Sequence, residues 1–183
     1  MRDEDALFQL GMDLEALTDT EPRSTTQTED FLNDRSALAV LAGEKRLKEE
    51  GKQLDFFIEK DGEKFAGSHI IIDLYDADRL NDQAHIEDAM LECVEKAGAT
   101  LLHIHLHPFE PEGVSGVAVL AESHISVHTW PEAGYAAFDV FMCGDAKPER
   151  CIEILGQAFN AGRVEVSELR RGSKVALFTK TAA

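Results

Sequence analysis

Between Ala99 and Cys143 the chain passes through four strand-like segments joined by connections too short to hold a helix. They are 99–107, 114–121, 123–130 and 135–143. Strands that follow one another through short turns pair antiparallel, because a parallel neighbour needs a crossover of a dozen or more residues. This run therefore constrains the fold more than any other feature. It demands a largely antiparallel sheet, and the rest of the chain has to cover it.

The flanking sequence supplies the cover. Leu54 to Ile58 reads as a short strand, and Asp61-Gly62 as a tight hairpin turn leading back through Phe65 into a strong strand over 68–75. Asp78 is placed to cap a helix that runs to Ala97, with Leu80, Ile86, Met90, Leu91 and Val94 on one side and Gly98 as its stop. Pro148 suits the first turn of a second helix that ends near Gly162. Strands over 163–169 and 175–179 close the chain. The predicted order is β-β-α-β-β-β-β-α-β-β. It gives an α+β two-layer sandwich, a mainly antiparallel sheet with both helices on one face. The other face is left to solvent or to a second subunit.

Residues 1–52 differ in texture. They are acidic, with a Thr/Ser-rich break at Glu21–Glu29, and they read as a partly disordered extension. Residues 30–50 can form a helix with Leu38, Leu41 and Leu47 on one side. The globular domain is expected over 53–183. A formal charge of −17 argues against a nucleic-acid partner and suits a cationic ligand. There is no apolar run of membrane-spanning length and no secretion signal, so a cytoplasmic protein is expected. Cys93, Cys143 and Cys151 are odd in number and lack Cys-x-x-Cys spacing, which fits neither a disulfide framework nor a zinc site.

Chemistry-bearing residues crowd into 120–132, Leu-Ala-Glu-Ser-His-Ile-Ser-Val-His-Thr-Trp-Pro-Glu. On a straight strand His124, Ser126 and His128 share one face, and Ser123 falls on the other with Ile125 and Val127. Ser123 and His128 are thus not a simple hydrolase pair. His103, His105 and His107 also share a strand face, and two of them could bind a metal. The outer two are about 14 Å apart, so all three do not fit one ion. A polar outer face is the simpler account of them. Gly113-Val-Ser-Gly116 can take unusual backbone angles. No dinucleotide fingerprint, phosphate loop or Gly-x-Ser-x-Gly elbow is present.

Taken together, Phe109-x-Pro-x-Gly-Val-Ser-Gly, then Ala-Glu-Ser-His-Ile-Ser-Val-His-Thr-Trp-Pro-Glu, then Asp139-Val-Phe-Met-Cys-Gly144 resemble the prokaryotic S-adenosylmethionine decarboxylase proenzymes. The likeness runs from about Leu54 to Lys180 and is tightest over 109–145. It implies a self-cleaving, pyruvoyl-dependent enzyme that makes the aminopropyl donor for spermidine synthesis. Decarboxylating an α-amino acid needs an electron sink that ordinary side chains lack. In this family the sink is a pyruvoyl group, here derived from Ser123, which forms a Schiff base with the substrate; neither a metal nor pyridoxal phosphate is implied. Cleavage between Glu122 and Ser123 would leave a β chain of residues 1–122 and an α chain of residues 123–183.

By position, the resemblance makes His128 the proton acceptor in processing and Ser115 its assistant. Cys143 becomes the catalytic proton donor, and Phe109, Trp130 and Glu132 become substrate contacts. Ala133 departs from the aromatic often found there. A homodimer of αβ protomers is implied, with S-adenosylmethionine as the substrate and no nucleic-acid or membrane partner. Arginine or ornithine decarboxylation through the same group is the neighbouring reading. A metal enzyme built on the three strand histidines and a non-enzymatic acidic module are the more distant ones.

Overall fold

The computed structural model describes residues 36–42 and 57–173. Among these residues there are eight strands: β1 (Ile58–Lys60), β2 (Glu63–Phe65), β3 (Gly67–Tyr75), β4 (Leu101–Pro108), β5 (Val114–Leu120), β6 (Ser123–Trp130), β7 (Tyr135–Met142) and β8 (Arg163–Arg171). Residues 36–42 are helical (α1). The longer helices are α2 (Gln83–Ala97) and α3 (Arg150–Ala158). β1 and β2 form a separate hairpin, and the other six strands form one sheet in the order β4-β5-β6-β7-β3-β8. Every neighbouring pair is antiparallel. The predicted two-layer α+β sandwich is the observed one.

Alternation builds the inner layer. Ile70, Ile72 and Leu74 of β3, Ile125 and Val127 of β6, and Phe138, Val140 and Met142 of β7 are all buried. They meet Ile86, Met90, Cys93 and Val94 of α2 and Cys151 and Leu155 of α3 in one core. The residues between them on each strand form the outer face, which carries no described helix.

The boundaries differ from the sequence expectation in several places. α2 is capped by Asp82, not Asp78: its carboxylate accepts the His85 N–H at 3.1 Å. Arg79 has φ 60°, so the chain cannot be helical through that position, and residues 78–82 form a loop instead. That loop is pinned to the sheet, since Thr129 Oγ1 donates to the Leu80 carbonyl and Asn81 Oδ1 accepts the Gly113 N–H, both at 2.8 Å. α3 ends at Ala158, before Asn160 takes a positive φ of 46°. In α1, Leu38 and Leu41 are exposed, and the smaller Ala39 and Val40 lie against the core. Leu47, the Thr/Ser-rich break, the start of the first predicted strand and the predicted strand over 175–179 lie outside the described residues. Among the described residues no helix is long and apolar enough to cross a membrane.

Candidate active site

The β5–β6 hairpin turns in two residues. Leu120 pairs with Ser123, which leaves only Ala121 and Glu122 in the loop. Ser123 then enters β6 with φ 146°, a region that residues with a Cβ avoid. Holding a residue there costs of order 1–3 kcal/mol and persists only where the surroundings impose it. The surroundings here are specific. The Glu122 carbonyl accepts two hydrogen bonds from one residue, Cys143: the backbone N–H at 3.0 Å and the thiol at 2.9 Å. Cys143 reaches that position because Ser123 pairs with Met142 across β6 and β7.

Burial pushes the Cys143 thiol pKa up, and the nearby Glu122 charge adds to the rise. The thiol therefore keeps its proton at neutral pH and serves as a donor. Two donors on one carbonyl oxygen favour charge developing on that oxygen, as an attack on the carbonyl carbon would require. The Glu122 carboxylate is held as well. It accepts the Thr100 N–H at 2.8 Å and the Thr100 hydroxyl at 3.1 Å.

Ser115 and His128 form a second centre. They are direct cross-strand partners, with Ser115 Oγ 2.9 Å from His128 Nδ1. Both belong to the outer face. Along β6, His128 lies five residues from Ser123, about 16 Å away. One chain therefore joins Glu122, Ser123 and Cys143 in one place and Ser115 with His128 in another.

Aromatics surround the second centre. The Trp130 ring lies 6.2 Å from that of His128 and stacks on Tyr135 at 5.2 Å. Tyr135 donates to the Asp73 carboxylate, and this bond pushes its pKa up to about 12. Trp130 and Phe109 are about half exposed, at 42% and 51%, and Phe109 meets the His107 ring edge-on at 4.9 Å. Glu132 is exposed on the 3-10 turn Pro131–Ala133. His103, His105 and His107 are exposed on β4, and among the described residues no group of three His, Cys, Asp or Glu side chains is arranged to hold a metal ion.

Sequence reasoning missed Thr100 and Tyr135. Thr100 sits just before a strand and carries no motif. Tyr135 left a fainter trace as an aromatic directly after the Pro-Glu-Ala-Gly turn.

The fold is an α+β sandwich that places its candidate reactive groups at one hairpin turn and along one sheet face. The family model for S-adenosylmethionine decarboxylase matches residues 68–172, more than half of the chain. The chain belongs to that family. It is 48% identical over 116 residues to the S-adenosylmethionine decarboxylase proenzyme of Prochlorococcus marinus (strain MIT 9313), covering 62% of this chain and 93% of that protein. The proenzyme of Methanococcus aeolicus is 45% identical over 115 residues, covering 61% of this chain and 98% of the relative. Among solved structures, the adenosylmethionine decarboxylase of Aquifex aeolicus is 38% identical with a TM-score of 0.53, covering 58% of this chain and 90% of that one.

Proposed function

We propose that this chain cuts itself between Glu122 and Ser123 and then decarboxylates S-adenosylmethionine through a pyruvoyl group made from Ser123. The decarboxylase activity follows from the family and from the proenzymes it is similar to. Its product is the aminopropyl donor for spermidine synthesis. One observation carries the cleavage site: the Glu122 carbonyl is gripped by two Cys143 donors while the next residue, Ser123, is held at φ 146°.

The chemistry balances on this chain's own atoms. Ser123 Oγ adds to the Glu122 carbonyl carbon, whose oxygen gains charge between the Cys143 N–H and thiol. The C–N bond breaks, the Ser123 nitrogen takes a proton, and an ester joins the two residues. A base removes the Ser123 Cα proton, and the new main-chain α-carboxylate of Glu122 leaves from Ser123 Cβ. Water then hydrolyses the resulting enamine, through its imine tautomer, to a ketone and releases ammonia. The pyruvoyl group, once present, supplies the electron sink for the carbanion. Cys143, with its thiol held protonated, returns a proton to the substrate carbon after CO2 departs.

His128 serves as the base, assisted by Ser115, but it acts across a dimer. In one chain it lies about 16 Å along β6 from Ser123. A twofold axis parallel to the sheet and perpendicular to its strands reverses strand direction. It thus sets the Ser115–His128 row of one copy opposite the Ser123 row of the other. The outer face exposes Val119, Trp130 and Leu169, apolar surface that a second copy would bury. Trp130 and Phe109 offer ring faces to the nucleoside and the sulfonium of the substrate, and Glu132 offers a carboxylate to its polar groups.

Intact-mass spectrometry of the purified protein tests the reading. Two chains ending at Glu122 and starting at residue 123 are expected, with CO2 released from carboxyl-labelled S-adenosylmethionine. Ser123→Ala should remain one chain and inactive. A Ser123→Ala protein still cut after Glu122, or an uncut wild-type chain with full activity, would overturn it.

A further inference from the structure

We infer that Thr100 is a positioning residue for self-cleavage: by gripping the Glu122 side chain it fixes the scissile carbonyl against Cys143. This rests on the cleavage site proposed above. Thr100 is only 4% exposed and meets both residues of the β5–β6 loop. Its N–H and hydroxyl donate to separate oxygens of the Glu122 carboxylate, and its carbonyl accepts the Ala121 N–H at 2.9 Å.

Thr100 is itself anchored. The Gly98 and Ala99 N–H groups bond back to the Glu95 and Val94 carbonyls at 3.1 and 3.0 Å, closing the end of α2. Gly98 can do this because it sits at φ 71°, the left-handed conformation of a helix stop. The end of α2 is thus connected through Thr100 to the loop that carries the scissile bond.

The need for such an anchor is geometric. Cys143 holds Glu122 by a single atom, the carbonyl oxygen. Two bonds to one atom polarise it but leave the peptide plane some freedom to pivot within the two-residue loop. Attack by Ser123 Oγ needs the carbonyl carbon in a fixed orientation, and small misplacements of reacting atoms cost large factors in rate. The carboxylate grip removes that pivot. It also holds the Glu122 charge beside Cys143, where it favours the protonated thiol.

The test follows the first-order appearance of cut chain in freshly synthesised protein by intact mass, with thermal melting alongside. Thr100→Val keeps the volume and the backbone N–H and loses only the hydroxyl. It should cleave about tenfold more slowly, which corresponds to about 1.4 kcal/mol in the barrier. Thr100→Ser restores the donor and should cleave within about threefold of wild type by the same argument. In a Glu122→Gln background, adding Thr100→Val should slow cleavage by less than it does in wild type, because the two side chains act through one contact. A folded Thr100→Val protein cutting at the wild-type rate, or full additivity of the two substitutions, would overturn the inference. Should Thr100→Val not fold, Glu122→Ala removes the same grip from its other partner, and a wild-type rate there overturns it equally. Cleavage persisting in Ser123→Ala would instead refute the underlying site and leave this contact without a role.

Discussion

Two tasks are proposed for the Cys143 sulfur, and substitution separates them. As a hydrogen-bond donor it grips the Glu122 carbonyl; as an acid it is proposed to protonate the substrate carbon. Cys143→Ala leaves the backbone N–H on that carbonyl, so cleavage should slow about ten- to hundredfold rather than stop. Decarboxylation by whatever chain is cut should fall further, about a hundredfold or more. Cys143→Ser, which keeps a donor but not an acidic thiol, should recover cleavage better than decarboxylation. Timed gels and labelled-CO2 release read the two separately. The direction of the thiol's pKa shift has its own check. Burial and the Glu122 charge favour the neutral form, so deprotonation moves to higher pH. Iodoacetamide should modify Cys143 with a pH midpoint above about 8.5, the value of a free thiol. A midpoint at or below it would mean that the thiol is an anion more readily than this environment allows.

At the scale of the element, the β5–β6 hairpin shows how much was legible from sequence. Alternation placed Ile125 and Val127 inside and His128 outside, and the structure keeps that parity. The clash between Ser123 and His128 was also readable, as a spacing that no straight strand could satisfy. The grip on Glu122 was not readable, because Thr100 and Cys143 lie 22 and 21 residues away in sequence and reach it only once the chain is folded back. The cap of α2 shifted for a similar reason: Asp78 and Asp82 are equal candidates in composition, and only the loop's anchorage to Thr129 and Gly113 chooses between them. Gly116 lies inside β5 and is closely packed there. A Cβ there would lie 2.1 Å from Leu106 Cδ2 and 2.7 Å from the His105 carbonyl oxygen. Gly116→Ala should therefore force β4 from β5 and cost about 1–3 kcal/mol, seen as a lower denaturant midpoint. An unchanged midpoint would show that β4 yields freely.

For the whole molecule, the outer sheet face is the feature the sequence left open. Six of the seven histidines lie on it, at 69, 103, 105, 107, 124 and 128, so a histidine in this chain marks a face before it marks a function. The proposed dimer gives that face a purpose, and complementation tests it sharply. His128→Ala and Ser123→Ala chains should each stay uncut alone. Co-expressed, the His128→Ala chain should be cut, because its intact Ser123 meets the other copy's intact His128. Failure of both chains to be cut in a verified mixed dimer would place the base in the same chain as its serine.

The two-residue loop between β5 and β6 has a further consequence. β6 lies between β5 and β7 and keeps both hydrogen-bonded ladders if its loop is cut. A cut molecule would stay assembled, yet its unfolding would release two separate peptides. Refolding would then be a bimolecular encounter that the covalent loop had once made local. Under the proposed maturation the order of events therefore matters: the sheet has to assemble while the chain is still one piece, and cleavage then removes the connectivity that assembly required.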